Sequence, residues 1–400
     1  KLFTSQYRQK VGVEMKGRTR FWILVSIVSI SGFSQGMLLP LIAVIFENHG
    51  VSSFLNGLNA TGLYIGILLI SPFMEIPLRR FGYKPILITG GLLVLLALAL
   101  FPTWQNFWFW FVLRLIVGIG DNALNFAAQT WITEFSPSHR RGRNIAIYGL
   151  FFGLGFAVAP LMVPLVHISE SLPFILTSII SFLGWLFLFL LPNELPEQDM
   201  EMTSFRETFH RFAHVWRYAW VAFLPPFAYG FLETSLNASF PIYALRIGMD
   251  LTSVSTLLVA FSIGTIVFQL PLGMIGDKIG RNKTISGSLL IGMICFALTG
   301  MLENYYIGTL TFLFIGGMFV GSMFSLGISY MADLTPKNLL PTGNILCGIF
   351  FSFGSLIGPS LGGLFIQLLP SVSFFYLLSG LFLIVFIVTF KRNIFSSISN

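Results

Sequence analysis

Two acids and one base stand inside apolar stretches of this chain: Asp121, Glu233 and Arg114. Ionisable groups at membrane depth are costly and mark paths for ions or substrates. Arg114, Gly118, Asp121, Asn125 and Gln129 follow one another at steps of 4, 3, 4 and 4. Those steps place all five on one helix face, with Arg114 and Asp121 about 10 Å apart along the axis. Such a stripe suits a wet cavity holding a charge pair that breaks and re-forms. A structural seam inside a helix bundle is the other reading. Glu233 has Asn237 one turn further on, between Pro225, Pro226 and Pro241. A carboxyl group there can load and release a proton, or can bond backbone groups freed by the prolines. Gln35, Asn59, Tyr64, Gln269, Ser325, Tyr330 and Asn344 are further candidates for a substrate cavity, and Phe227 and Phe231 for an aromatic wall facing an apolar substrate.

The elements that must position these groups are membrane helices. Over 400 residues the chain is 55% hydrophobic and 10% charged, whereas a soluble domain carries about 25% charged residues. Polar breaks divide it into twelve candidate spans, six between Phe21 and Leu191 and six between Val221 and Phe390. A helix crosses a bilayer in about 20 residues. The runs are continuously apolar and do not alternate, so helices are expected and a barrel is not.

The spans repeat. Gly149-Leu-Phe-Phe-Gly153-Leu-Gly155-Phe-Ala-Val-Ala-Pro160 returns 199 positions later as Gly348-Ile-Phe-Phe-Ser-Phe-Gly354-Ser-Leu-Ile-Gly358-Pro359. Pro137 and Pro336 keep that interval, and Gly82 and Gly280 miss it by one. An internal repeat in an apolar chain points to a transporter built from two related bundles. The expected division is a six-helix bundle with a basic head over 1–192, a linker over 193–220 and a second six-helix bundle over 221–400. Gly149, Gly153, Gly155 and Pro160, with Gly354, Gly358, Pro359 and Gly362, mark helices that approach closely and bend at gates.

Of 23 Lys and Arg, all but Arg114 and Arg246 fall on one side of this topology. Positive residues resist translocation, so both termini are expected in the cytoplasm. The basic clusters are small and spread over that face, which argues against a nucleic-acid partner. The linker opens acidic and turns amphipathic, with Ser204 and Glu207 at capping-box spacing. Phe205, Phe209, Phe212 and Trp216 recur at helical spacing, as expected of a helix on the inner leaflet. His210 and His214 lack a third ligand, and Cys295 and Cys347 lie in apolar runs. Neither a metal, a disulfide nor a cofactor is expected.

Gly273-Met-Ile-Gly276-Asp277-Lys-Ile-Gly280-Arg281-Asn-Lys283 resembles the loop signature of the major facilitator superfamily. Its glycines permit a tight turn and close helix contact. Asp277 can take the positive end of a helix, and Arg281 and Lys283 can pair with Asp333. The resemblance implies a cytoplasmic latch for one conformation. The first half departs from the pattern, because Arg79 stands where the acid belongs, although Glu75 and Arg79 have i,i+4 spacing. Arg114-x-x-x-Gly118-x-Gly120 is similar to the family's intramembrane arginine motif. The segments around Pro160 and Pro359 resemble the fifth-span motif of drug–proton antiporters. The second copy fits best but lies in the eleventh span.

The expectation is a multi-pass secondary transporter of a bacterial cytoplasmic membrane, working as a monomer among membrane lipids. It is expected to export an amphipathic or cationic small molecule in exchange for protons, with Glu233, Asp121 and Arg114 in proton coupling. A proton-coupled importer of a sugar or metabolite, a lipid translocase and a non-transporting receptor or scaffold are the alternatives. The sequence has no G-x-x-x-x-G-K-[ST], G-x-S-x-G or H-E-x-x-H, so neither ATP-driven transport nor an enzyme is expected.

Overall fold

The computed structural model describes residues 2–196, 205–336 and 339–398. Among the described residues twelve apolar spans follow in chain order and no strand occurs. In the first half α1 is Gly17–Asn48, α2 Ser53–Phe73, α3 Tyr83–Thr103, α4 Phe107–Phe135, α5 Arg143–His167 and α6 Leu172–Leu190. α7 is Leu224–Ala238, continued as Phe240–Arg246. The remainder are α8 Leu251–Ile279, α9 Arg281–Met301, α10 Tyr306–Leu334, α11 Thr342–Leu368 and α12 Phe374–Phe390. Ten are long and apolar enough to cross a membrane by themselves; α12 is shorter and α7 is divided.

Proline explains the division of α7. Pro225 and Pro226 open its first part and Pro241 opens its second, with Ser239 between. Proline is favoured in a helix's first turn, where its missing N–H is not needed. The fifth span, expected as one helix, is α-helical only to Val158 and continues as a 3-10 helix over Ala159–His167. Pro160 and Pro164 cannot donate to a ladder there. Pro359 stays inside a continuous α-helix. Where α8 begins, the Asp250 carboxylate accepts from the Ser253 backbone N–H at 2.9 Å and hydroxyl at 2.6 Å. Those bonds hold its carboxyl below the usual range.

Packing divides the chain into two compact units. The first is Lys1–Met37, Ile65–Ala159 and Leu165–Gln198; the second is Leu38–Tyr64, Pro160–Pro164 and Asp199–Asn400. In the first unit α5 lies close on α1. A Cβ on Gly155 would meet the Ser29 carbonyl, and one on Gly32 or Gly36 would meet the carbonyls of Phe152 or Phe156. In the second unit α11 is seated on α7 in the same way. Gly354 faces the Phe227 carbonyl, Gly358 the Phe231 carbonyl and Ser235, and Gly362 Ser239. Small residues four apart let backbones approach. Gly149, expected in this role, has no neighbouring atom within 4 Å. Six residues separate it from Gly155, about 240° around the helix, so it points to another face, and Gly153 is half-buried.

The linker forms a helix over Phe205–Ala219. Val215 and Ala219 are buried in the second unit's core. Trp216 stacks on Phe223 and Phe350 with ring centroids 6.0 and 5.5 Å away. Ser204 of the expected capping box lies outside the described residues, as do the side chains of Glu75, Phe205, Glu207, Phe209 and His210.

Candidate functional site

α4 carries the first polar cluster because Asp121 and Asn125 are one turn apart on its buried face. The Ser31 hydroxyl of α1 donates to Asp121 Oδ1 at 2.6 Å and accepts from Asn125 Nδ2 at 3.2 Å. Asn125 Nδ2 also reaches the Asp121 carbonyl at 2.9 Å, and its Oδ1 accepts from the Tyr148 hydroxyl at 2.8 Å. Gln35 lies alongside Asp121. Arg114 is buried on the same helix, but the hydrogen bond that holds Asp121 Oδ1 comes from α1. The α4 stripe ends at Gln129, which is exposed.

α7 carries the second cluster. The Tyr229 hydroxyl donates to Glu233 Oε1 at 3.2 Å, and Asn237 Nδ2 donates to the Glu233 carbonyl at 2.8 Å. These are successive i,i+4 contacts on one face. Glu233 is half-buried and Tyr64 lies beside Tyr229. Tyr229 leans on Phe351 at 6.0 Å, and Phe351 meets Phe324 at 5.3 Å. The aromatic group that begins at Glu233 is therefore Tyr229, then Phe351, then Phe324, while Phe227 of the expected wall is half-buried. Phe231 is buried in the second unit's core, and its backbone carbonyl is the atom that Gly358 faces.

Asn59 and Tyr330 are buried, while Gln269 and Asn344 are exposed. Ser325 donates to the Ser322 carbonyl at 3.0 Å. Ser31, Tyr148 and Tyr229 were not among the expected site residues, although Tyr229 is one helical turn before Glu233.

In the α8–α9 loop one of the expected pairs, Arg281 with Asp333, is present. Arg281 pairs with Asp333 and reaches the Ser329 carbonyl at 2.8 Å and Asp277 at 3.3 Å. Gly280 turns the chain at φ +96°. Gly276 packs against Leu326, whereas Gly273 has open space around it. Lys283 is exposed.

The first half reaches a similar result with different chemistry. Gly82 turns the chain at φ +86°, and Tyr83, at the position matching Arg281, hydrogen-bonds Glu134, at the position matching Asp333. The acid missing at Arg79 has a local substitute in Glu194, beyond α6. Glu194 pairs with Arg20, accepts from Trp131 Nε1 at 2.8 Å and, through its carbonyl, from the Tyr83 N–H at 3.0 Å. Lys84 closes the clamp on the carbonyls of Phe189 and Leu191 at 2.9 and 2.6 Å. Applying the 199-residue interval to Asp333 would have found Glu134. Nothing in the spacing marks Glu194.

The sequence profile of the Major Facilitator Superfamily matches residues 24–253 and 222–396. An uncharacterized MFS-type transporter of Bacillus subtilis (strain 168), YfkF, is 54% identical over 362 residues, 90% of this chain and 92% of that one. Another from Enterobacter sp. (strain 638), Ent638_1421, is 23% identical and covers 80% of this chain and 82% of its own. Among solved structures the fold is similar to that of the nucleoside transporter NupG, with a TM-score of 0.76 at 13% identity over 93% of this chain and 99% of that one. It is also similar to a bacterial homolog of the human lysosomal transporter Spinster, with a TM-score of 0.71 at 15% identity over 89% and 84%. With profile matches across both halves and 54% identity over 90% of its length to an MFS-type transporter, the chain belongs to the major facilitator superfamily.

Proposed function

We propose that this membrane transporter exports an amphipathic or cationic small molecule in exchange for protons, with Glu233 as the proton carrier. The observation that supports this most is the setting of Glu233. Its carboxyl is half-buried, bonded to a neutral phenol, and next to the aromatic group Tyr229, Phe351 and Phe324. A carboxyl in such a place can hold either a proton or a cationic substrate. Competition between the two gives antiport without simultaneous binding. The aromatic faces offer an apolar or cationic compound stacking and cation–π contacts. The basic loops support an arrangement with both termini in the cytoplasm of a bacterial cell.

The test is transport in proteoliposomes with an imposed pH gradient. Glu233→Gln keeps the size and hydrogen bonding of the side chain but cannot release a proton. It should bind substrate and lose gradient-driven transport, and unchanged coupling would exclude Glu233 as the carrier. Substrate moving in the same direction as protons would identify an importer instead.

A further inference from the structure

The first unit holds a small, half-open cavity of about 30 Å³ between α1, α3, α4 and α6. Its polar lining is Ser31, Ser34, Asp121 and Ser181; the other walls include Ile30 and Trp185. Glycines shape it. A Cβ on Gly184 would strike Ile30 and one on Gly91 would strike Trp185, so both large side chains are held where they wall the space. Trp185 is fixed by its Nε1 bond to the Ile88 carbonyl at 3.0 Å. Among the described lining residues, Asp121 is the single titratable group.

The oxygen atoms are arranged with spare acceptors. Ser34 donates its proton to the Ile30 carbonyl at 3.0 Å and so accepts from the Ser181 hydroxyl at 3.4 Å, leaving one Ser34 lone pair and those of Ser181 spare. Asp121 Oδ1 accepts from Ser31 and the Gln35 amide lies beside the carboxyl, while Asp121 Oδ2 is buried and receives no hydrogen bond of good geometry. Asp121 is 0% exposed. A buried carboxylate must be paired or coordinate a cation. One carboxylate balances one positive charge, and hydroxyl and carboxylate oxygens without nitrogen or sulfur donors suit a hard ion. A space of this size admits a small ion with one or two waters, since one water needs roughly 10–15 Å³.

We propose that this cavity is a sodium site, with Asp121, Ser31, Ser34 and Ser181 supplying the oxygens. It is separate from Glu233 and stands whether or not Glu233 carries protons. Occupation would tie α1 and α6 to α4 through one ion and so join the transport cycle to a second gradient.

The test needs no substrate. The full chain, purified in detergent, is unfolded thermally in sodium, potassium or choline chloride at constant ionic strength. Tm should rise with the logarithm of sodium concentration above Kd, as for any ligand of the native state, and should not rise in potassium or choline. Asp121→Asn should be insensitive to sodium. Ser181→Ala should shift the curve to about tenfold higher sodium, and it keeps the test decisive should Asp121→Asn fail to fold. Glu233→Gln should respond like the native chain, which separates this site from the proton reading. A flat native curve would mean that the cavity holds only water. Equal rises in all three salts, or a full sodium response in Asp121→Asn, would also overturn the proposal.

Discussion

Glu47 and Arg246 form a two-point ion pair, Nε to Oε1 at 2.7 Å and Nη2 to Oε2 at 3.2 Å, and they stand 199 positions apart, the interval of the internal repeat. Equivalent residues at the ends of α1 and α7 have thus become partners of opposite charge. Transport requires helix ends on one side of the membrane to part, and this pair must break if those are the ends that move. Both side chains are partly exposed, at 36% and 16%, which limits the pair to about 0.2–1 kcal/mol. Arg246→Gln or Glu47→Gln should therefore raise the population with separated ends by up to about fivefold. Distances between spin labels at His49 and Asp250 would report it. The charge exchange Glu47→Arg with Arg246→Glu should return the distribution to its starting form, and distances unchanged in both single variants would make the pair passive.

The two loop clamps should differ in sensitivity. Arg281 meets Asp333 and the Ser329 carbonyl together, whereas the Asp277 side chain is 68% exposed and reaches Arg281 at 3.3 Å. Asp333→Asn should reduce transport more than Asp277→Asn, with near-normal expression in both. Full transport in both variants would show the loop to be a turn only. Tyr83→Phe, which removes the matching bond in the first half, should act in the same direction.

Ser31 serves both Asp121 and Asn125, so its removal leaves a buried carboxylate oxygen and an amide without that partner. Ser31→Ala should lower stability by about 1–3 kcal/mol. Its effect should be coupled to that of Asp121→Asn by about 0.5–3 kcal/mol in a double-mutant cycle, because residues sharing a hydrogen bond are not additive. Arg114→Gln combined with Asp121→Asn should come closer to additivity. Melting temperatures of the purified variants measure both cycles, and strong coupling only in the second would move the partner of Asp121 from α1 to Arg114.

Glycines in α11 should differ by face. Gly354→Ala places a methyl group against the Phe227 carbonyl, whereas Gly348→Ala meets open space. The first should cost about 1–3 kcal/mol through overpacking and the second should be neutral or slightly stabilising, as seen in Tm. Equal tolerance would show that α7 and α11 are free to separate at that point.

The twelve spans, the repeat and the family were legible in the sequence because each rests on chain-local quantities. A bilayer sets the length and apolarity of a span, and a duplication preserves interval. Asp121 and Glu233 were legible for a related reason, since a charge inside an apolar run is visible without coordinates. Their partners were not. Ser31 meets Asp121 across 90 positions, and serines are common in these helices. Glu194 joins Arg20 only because the chain beyond α6 folds back on the α2–α3 loop. The faces of Gly149 and Phe231 also needed packing to be seen. Helical periodicity groups residues onto faces, but which face meets a neighbour depends on contacts with other helices. The sequence by itself therefore determined the membrane architecture and its charged positions, while tertiary packing alone decided which hydroxyl, amide or aromatic ring each charge would meet.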